Sequence, residues 1–273
     1  MTVPVALSIA GSDSGAGAGI QADLKTFAAF GVYGVTALTA VTAQNTLGVR
    51  AVQEITPEVV AAQIDAVAED FLIAALKTGM LASAGIIAVV ARGIARAGLR
   101  PLVVDPVMVA KSGDRLLRAD AVEALCRLLL PLADVVTPNL PEAEALTGRR
   151  IHSMADRVEA GRALLDRGAR AVVVKGGHGD EDPVIDLLVE RDAVREYRAA
   201  RWPGGATHGT GCTFSAAITA ALARGLALPE AVTRARAYLD RALREAPGLG
   251  HGHGPLGHGP APIPAEEVTD GAR

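Results

Sequence analysis

Short apolar, β-branched runs alternate along this chain with amphipathic stretches of helical period, and few folds accept that alternation. Val5–Ala10 reads as a strand and Ile20–Phe30 as a helix closed by Gly31. Val35–Ala43 and Val49–Ile55 read as strands, followed by a helix over Pro57–Glu69 with Thr56 as its cap and proline in its first position. Phe71–Leu76, Leu102–Val104, Val135–Val136 and Ala171–Val174 read as buried strands. Helices over Ala84–Ala97, Ala119–Leu130, Glu142–Leu146 and Met154–Arg167 lie between them. Strands apolar on both faces belong to parallel sheets covered by helices on each side. Asp186–Val189 and Val194–Tyr197 fit a late antiparallel ribbon.

A chain of 273 residues, 50% of them hydrophobic, can bury a large core. Its net charge of −3 and lack of a basic stripe argue against nucleic acid or an anionic membrane as partner. No apolar run reaches membrane-spanning length, and the first residues lack the basic segment of a signal peptide. Two distant cysteines make no disulfide framework, which points to a reducing, cytoplasmic setting. Only Lys25, Lys77, Lys111 and Lys175 are lysines among 27 basic residues, and the last three lie beside glycine. In a chain that uses arginine as its generic cation, such lysines suit tasks needing a compact ammonium. From Ala246 onward the sequence turns rich in glycine, proline and histidine. A flexible segment is the better reading of this tract than a metal site.

In open α/β sheets ligands sit beyond the carboxyl ends of the strands. Those positions hold Gly11–Gly19, Gln44-Asn45-Thr46, Lys77-Thr78-Gly79-Met80, Asp105-Pro106-Val107, Thr137-Pro138-Asn139-Leu140-Pro141-Glu142 and Lys175-Gly176-Gly177-His178. The first loop is neither a Walker loop nor a dinucleotide fingerprint, since neither spacing is met. The stretch Thr207-His208-Gly209-Thr210-Gly211-Cys212 then leads into an apolar helical pattern stopped by Gly225. A glycine loop entering a helix N-terminus presents free amides and a positive dipole end to an anion. The same field would favour a Cys212 thiolate.

Together these residues suit phosphoryl transfer without a P-loop. Lys175 would supply positive charge, Glu142 would hold magnesium through water, the amides of Gly209–Cys212 would bind the transferring group, and Cys212 would accept the alcohol proton. Asp105, before a proline, would bind a cation or order its loop. Cys126, with Leu125 and Leu129, reads as core filler, and His178 and His208 lack metal-ligand spacing with each other.

These segments resemble the hydroxymethylpyrimidine/phosphomethylpyrimidine kinases of thiamine biosynthesis, within the ribokinase-like superfamily. The resemblance spans Val5 to Pro255 and rests on Ala10–Gly15, Gly17–Thr26, Ala43–Thr46, Lys77–Leu81, Asp105–Met108, Ala110–Asp114, Thr137–Glu142, Lys175–His178 and Thr207–Cys212. The Asn139…Glu142 and Gly209–Gly211 elements are shared across the superfamily. Cysteine rather than aspartate at position 212 is narrower. The resemblance implies a three-layer α/β/α sandwich with a mostly parallel sheet, as one kinase domain over residues 1–258 with a tail over 259–273. It implies that Gln44 reads an aminopyrimidine, its amide offering a donor and an acceptor side by side. Gly11 and Val107 would touch substrate through backbone, Met80 through packing, and Asp23 would lie near the hydroxymethyl end. Lys175, Asn139, Glu142 and Thr207 would hold magnesium and ATP, and Lys111–Asp114 would form a flap. The same resemblance implies two successive transfers and a homodimer. Ala16 stands where many of these kinases have glycine.

Two other readings carry distinct expectations. Pyridoxal kinase shares the superfamily and also acts on a flat hydroxymethyl heterocycle. A non-catalytic nucleotide or pyrimidine sensor would be expected to lose chemical residues, and this chain keeps Glu142, Lys175 and Cys212.

Overall fold

The alternation closes into one nine-stranded sheet of order β3-β2-β1-β4-β5-β6-β7-β8-β9 in a computed structural model that describes residues 2–109, 113, 116–117, 119–177, 179, 182–202 and 207–259. In chain order the elements are β1 (Val5–Asp13), α1 (Gly19–Ala29), β2 (Tyr33–Asn45), β3 (Gly48–Glu54), α2 (Pro57–Asp70), β4 (Ile73–Thr78), α3 (Ala84–Ala97), β5 (Leu102–Val104), α4 (Ala119–Ala124), β6 (Val135–Val136), α5 (Leu140–Thr147), α6 (Met154–Asp166), β7 (Val172–Val174), β8 (Val184–Val189), β9 (Val194–Ala199), α7 (Thr210–Ala223) and α8 (Leu228–Arg244). Strands β2, β1, β4, β5, β6 and β7 run parallel, while β3, β8 and β9 pair antiparallel at the margins. The expected three-layer, mostly parallel sandwich is the fold observed.

Strand pleating divides the core between the two helical layers. Leu7 and Ile9 of β1 and Leu102 and Val104 of β5 pack with Ile64, Ile86, Ile87 and Val90 of α2 and α3. Their neighbours Ala6 and Val103 face the opposite layer, where Phe214, Ala216 and Ile218 of α7 and Val232 and Leu239 of α8 are buried.

Several local features differ from the sequence reading. Helix α8 is absent from the pattern above, although Ala231, Val232, Ala235, Tyr238, Leu239 and Ala242 form its buried face between arginines. The helix expected over Ala119–Leu130 instead widens into a five-residue π turn at Leu125–Leu129 and tightens at Leu130–Leu132, where Pro131 has no amide to continue it. Thr56 precedes α2 in extended conformation but its side chain makes no capping bond. Strand β4 runs on to Thr78, so Lys77 lies inside the sheet rather than beyond its end.

The glycine-histidine-proline tract is also more structured than expected. Its His253 amide donates to Thr46 O at 2.8 Å, and Gly254 O accepts from the His208 amide at 3.2 Å. The ring of buried His258 lies 2.7 Å from Thr213 Oγ1, and Leu256 is buried against α7 and α8. Residues 246–258 thus form a strap joining the β2–β3 turn to the start of α7. A side chain on Gly252 would stand 2.1 Å from Thr46 O, which explains glycine there.

Candidate functional site

Strand β1 is followed by β2 on one side and later by β4 on the other, so the chain reverses direction across the sheet at β1. A crevice opens at such a switch point, beyond the strand ends. Here it is a cavity of about 770 Å³ whose wall includes Gly11, Asp13, Gln44, Met80, Asp105, Val107, Asn139, Glu142, Lys175, Thr207 and Gly209–Cys212.

One end of the wall is the first turn of α7. Gly209 precedes it with φ 81°, and the Thr213 amide makes the first helical bond, to Gly209 O at 2.8 Å. The amides of Thr210, Gly211 and Cys212 therefore lie in the turn that lacks intrahelical acceptors, and no acidic residue occupies it. Gly209 admits no side chain, because a Cβ there would fall 1.8 Å from Gly17 O. The loop carrying Gly17 is itself folded around Asp13, whose carboxylate accepts from the amides of Gly15, Gly17 and Ala18 at 2.8, 3.0 and 2.8 Å. Within that loop Ala16 adopts φ 57°, a left-handed conformation that glycine would reach without steric cost.

Beside this turn sits a buried charge cluster. Lys175 Nζ donates to Asp105 Oδ1 at 2.9 Å and lies 3.8 Å from Glu142 Oε2. It also comes within 3.3 Å of the place a Cβ on Gly211 would take, so the ammonium and the α7 turn face one spot. Burial works to deprotonate Lys175, but Asp105 and Glu142 raise its pKa well above the ordinary lysine value. Asp105 also accepts from Thr137 Oγ1 at 3.2 Å and Ser215 Oγ at 3.1 Å. Burial alone would raise its pKa, and the two ammonium groups Lys175 and Lys77 hold it below the usual carboxylate value. Of the two roles open to Asp105, the geometry favours ordering, since three protein donors already occupy its oxygens.

Asn139 and Glu142 cap α5 reciprocally: Asn139 Oδ1 accepts from the Glu142 amide at 2.9 Å and Glu142 Oε2 from the Asn139 amide at 2.8 Å. Burial pushes the Glu142 carboxyl up to about 7, against the pull of Lys175. The donors at hand are hard oxygens on one or two carboxylates, and among the described residues no three metal-ligating side chains cluster. That set fits magnesium, which keeps much of its water and leans on substrate phosphates.

Two expectations need correction. Asp23 does not reach the cavity wall. It is fully buried beneath it, 2.7 Å from the equally buried Lys77 ammonium and 2.6 Å from Ser8 Oγ. A carboxylate placed in a strand–helix interface needs such a partner more than it can serve a ligand. Burial pushes the Asp23 carboxyl up and opposes the ion pair, while the Lys77 and Ser8 donors favour its charged form. Burial would likewise lower Lys77, yet the facing Asp23, Cys212 and Asp105 hold it above the ordinary lysine value. Cys212, expected as a ready thiolate, is instead pushed up to about 11 by burial, which outweighs the help of Lys77 and of the Gly19 backbone.

Gly11, Gln44, Met80 and Val107, the other substrate-side residues expected from the sequence, line the same cavity. Met80 is buried with its methyl 3.1 Å from the Cβ position of Gly11. The Gln44 amide stands between Thr42 Oγ1 at 3.2 Å and His208 Nε2 at 3.3 Å. Thr207 Oγ1 lies 3.4 Å from His253 Nδ1 of the strap. His178 and the Lys111–Asp114 flap, apart from Gly113 on the wall, lie outside the described residues. No role was expected for the Asp13–His208 pair, 2.8 Å apart, nor for Trp202, which also lines the cavity, as does Arg236. An aspartate two residues before a glycine-rich loop is the signal that was available for Asp13.

Residues 13–257 match the family model described as phosphomethylpyrimidine kinase. The chain belongs to this family. The matched span contains every wall residue named here except Gly11. Over 257 residues the chain is 54% identical to a hydroxymethylpyrimidine/phosphomethylpyrimidine kinase of Rhizobium meliloti strain 1021, covering 93% of this chain and 96% of that protein. It is 48% identical to the thiamine biosynthesis bifunctional protein ThiED of Geobacter sulfurreducens, covering 97% of this chain and 53% of that longer protein. Among solved structures it resembles an ADP complex of Bacillus subtilis pyridoxal kinase, with a TM-score of 0.88, 38% identity, and 94% and 98% of the two chains covered.

Proposed function

We propose that this chain is an ATP-dependent kinase that phosphorylates hydroxymethylpyrimidine to its monophosphate and then to the diphosphate, in thiamine biosynthesis. The observation that carries the reading is the meeting of the Lys175 ammonium and the α7 amides at one spot of a cavity whose wall also holds Gln44. A phosphoryl group in transfer gathers charge on its equatorial oxygens, and fixed donors are worth most there. Gln44 reads the pyrimidine edge, while Gly11, Met80 and Val107 shape its slot. Lys175, Asn139 and Thr207 hold the nucleotide phosphates. Glu142 would hold magnesium, whose charge neutralises phosphate oxygens when bound, while Asp105 fixes the Lys175 ammonium. Asp23 acts from beneath, as the partner of Lys77.

Cys212 takes the alcohol proton at Sγ. With the thiol at about 11, Cys212 must first release its own proton to solvent before it can take the alcohol's, and Lys77 and the Gly19 backbone are the groups that favour the resulting thiolate. In a loose transition state the alcohol loses its proton late, which suits an acceptor of this kind.

No helix among the described residues is long and apolar enough to cross a membrane. A cytoplasmic homodimer is part of the proposal and rests on the family and on the composition.

The test is mass analysis of products after incubating the protein with ATP, magnesium and hydroxymethylpyrimidine. Species carrying one and two added phosphates are expected. No transfer, or a strong preference for pyridoxal in parallel assays, overturns the reading. Pyridoxal kinase is the second reading to weigh, because a kinase of that name shares this fold closely.

A further inference from the structure

We infer that Asp186 is a positioning residue that sets the direction of the Lys175 side chain by fixing the peptide that follows it. Strand β8 reads Val184-Ile185-Asp186-Leu187-Leu188-Val189, a single acid in an apolar run. Asp186 is buried, and a carboxylate is costly there unless donors meet both of its oxygens. Two donors do. Oδ1 accepts from the Gly176 amide at 2.8 Å, and Oδ2 from Arg236 Nη1 of α8 at 3.1 Å. Arg236 is itself held by Asp240 Oδ1 through Nε at 3.1 Å, and its guanidinium lies over the Phe214 ring, 6.0 Å from the centroid.

Strands β7 and β8 pair antiparallel as far as Val174 and Leu187. Past that point the Gly176 amide turns to the Asp186 side chain, and the chain bends back so that the Gly179 amide donates to Gly176 O at 3.0 Å. The Lys175 amide is already taken by Pro138 O at 2.8 Å. Both peptide planes that meet at the Lys175 Cα are therefore anchored, and two fixed planes leave its Cα–Cβ bond one direction. That direction carries the ammonium to Asp105 and to the spot it shares with the α7 turn. Glycine at 176 suits the arrangement, since a Cβ there would fall 2.0 Å from Ile185 O and push the amide out of reach. Asparagine at 186 would not replace the acid. It offers one acceptor and one donor group, so either the Gly176 amide or Arg236 would face an N–H. The inference rests on the proposed role of Lys175 at the phosphates and goes beyond it by naming what aims that residue.

The test uses Asp186→Asn and Lys175→Met, alone and together. Asp186→Asn should lower kcat on hydroxymethylpyrimidine about ten- to a hundredfold, with the pyrimidine KM nearly unchanged. On the Lys175→Met background the same change should alter kcat by less than about twofold, because no ammonium is left to aim. An equal loss on both backgrounds would mean that Asp186 acts by itself or only holds the fold, and would overturn the inference. Two measurements are independent of turnover and of the double variant. In a crystal structure of Asp186→Asn the bond from Lys175 Nζ to Asp105 Oδ1 should be lost, and its survival unchanged would overturn the inference. In the wild type, hydrogen exchange followed by NMR should show the Gly176 amide protected, and exchange at the rate of an open loop would overturn it as well. Should the wild type phosphorylate no pyrimidine, the functional reading fails, and these two measurements still decide whether Asp186 aims Lys175.

Discussion

Lys175 Nζ is bonded to Asp105 Oδ1 at 2.9 Å, although the two residues follow strands that β6 separates. The ammonium that faces the α7 turn is thus aimed by a carboxylate buried on the cavity floor. That carboxylate is in turn fixed by Thr137 and Ser215.

Replacing Asp105 by asparagine keeps the shape and removes the charge that orients Lys175. We expect kcat to drop about ten- to a hundredfold, since small misplacements of a phosphate-binding group are costly. The pyrimidine KM should change little. Steady-state kinetics check this, and a raised pyrimidine KM at full kcat would place Asp105 in the substrate slot instead.

Cys212 should resist alkylation near neutral pH. Its thiol, pushed up to about 11, ionises tenfold more for each unit of rising pH, so iodoacetamide labelling at this residue should climb steeply across the alkaline range. Peptide mass analysis gives the site-specific rate. Cys212→Ala should lower kcat about a hundredfold or more while leaving substrate binding nearly intact.

The Lys77–Asp23 pair is a stability element under the site. Lys77→Met alone leaves a buried, uncompensated carboxylate and should cost about 3–5 kcal/mol by urea unfolding. Pairing it with Asp23→Leu should recover most of that loss. A double variant no better than the single one would show that the two charges do not act as a pair.

Glu142 should make stability and activity respond oppositely to pH. Its folded value of about 7 lies above the ordinary 4.5. The folded protein therefore keeps a proton that the unfolded chain has lost. Stability should fall as pH rises from about 4.5 to 7, by about 3 kcal/mol in all, and Glu142→Gln should flatten that slope. Turnover at limiting magnesium-ATP should instead rise across the upper part of the same window, because the carboxylate form holds the cation.

Much of the molecule could be read from local pattern. The strands of the parallel sheet announce themselves because both their faces are buried, as Val103 and its neighbours Leu102 and Val104 show by packing into opposite layers. The α7 loop was legible because glycine at a positive φ and an apolar helical run are local properties of Gly209–Ile218. Helix α8 carries the same kind of local signal, since Ala231, Ala235, Tyr238, Leu239 and Ala242 recur at helical spacing between arginines.

Proximity between distant residues was a different matter. Lys77 beside Asp23, Lys175 beside Asp105 and His208 beside Asp13 join positions 54, 70 and 195 residues apart. Residue type and spacing tell which groups are capable of phosphoryl chemistry, because that follows from covalent structure and short-range backbone geometry. Which carboxylate neutralises which ammonium, whether a thiol is ionised, and which way an amide faces depend on burial and on neighbours brought together by packing. Those are properties of the folded sheet and its layers, and they turned Asp23 from a substrate contact into a counter-ion and Cys212 from a thiolate into a thiol.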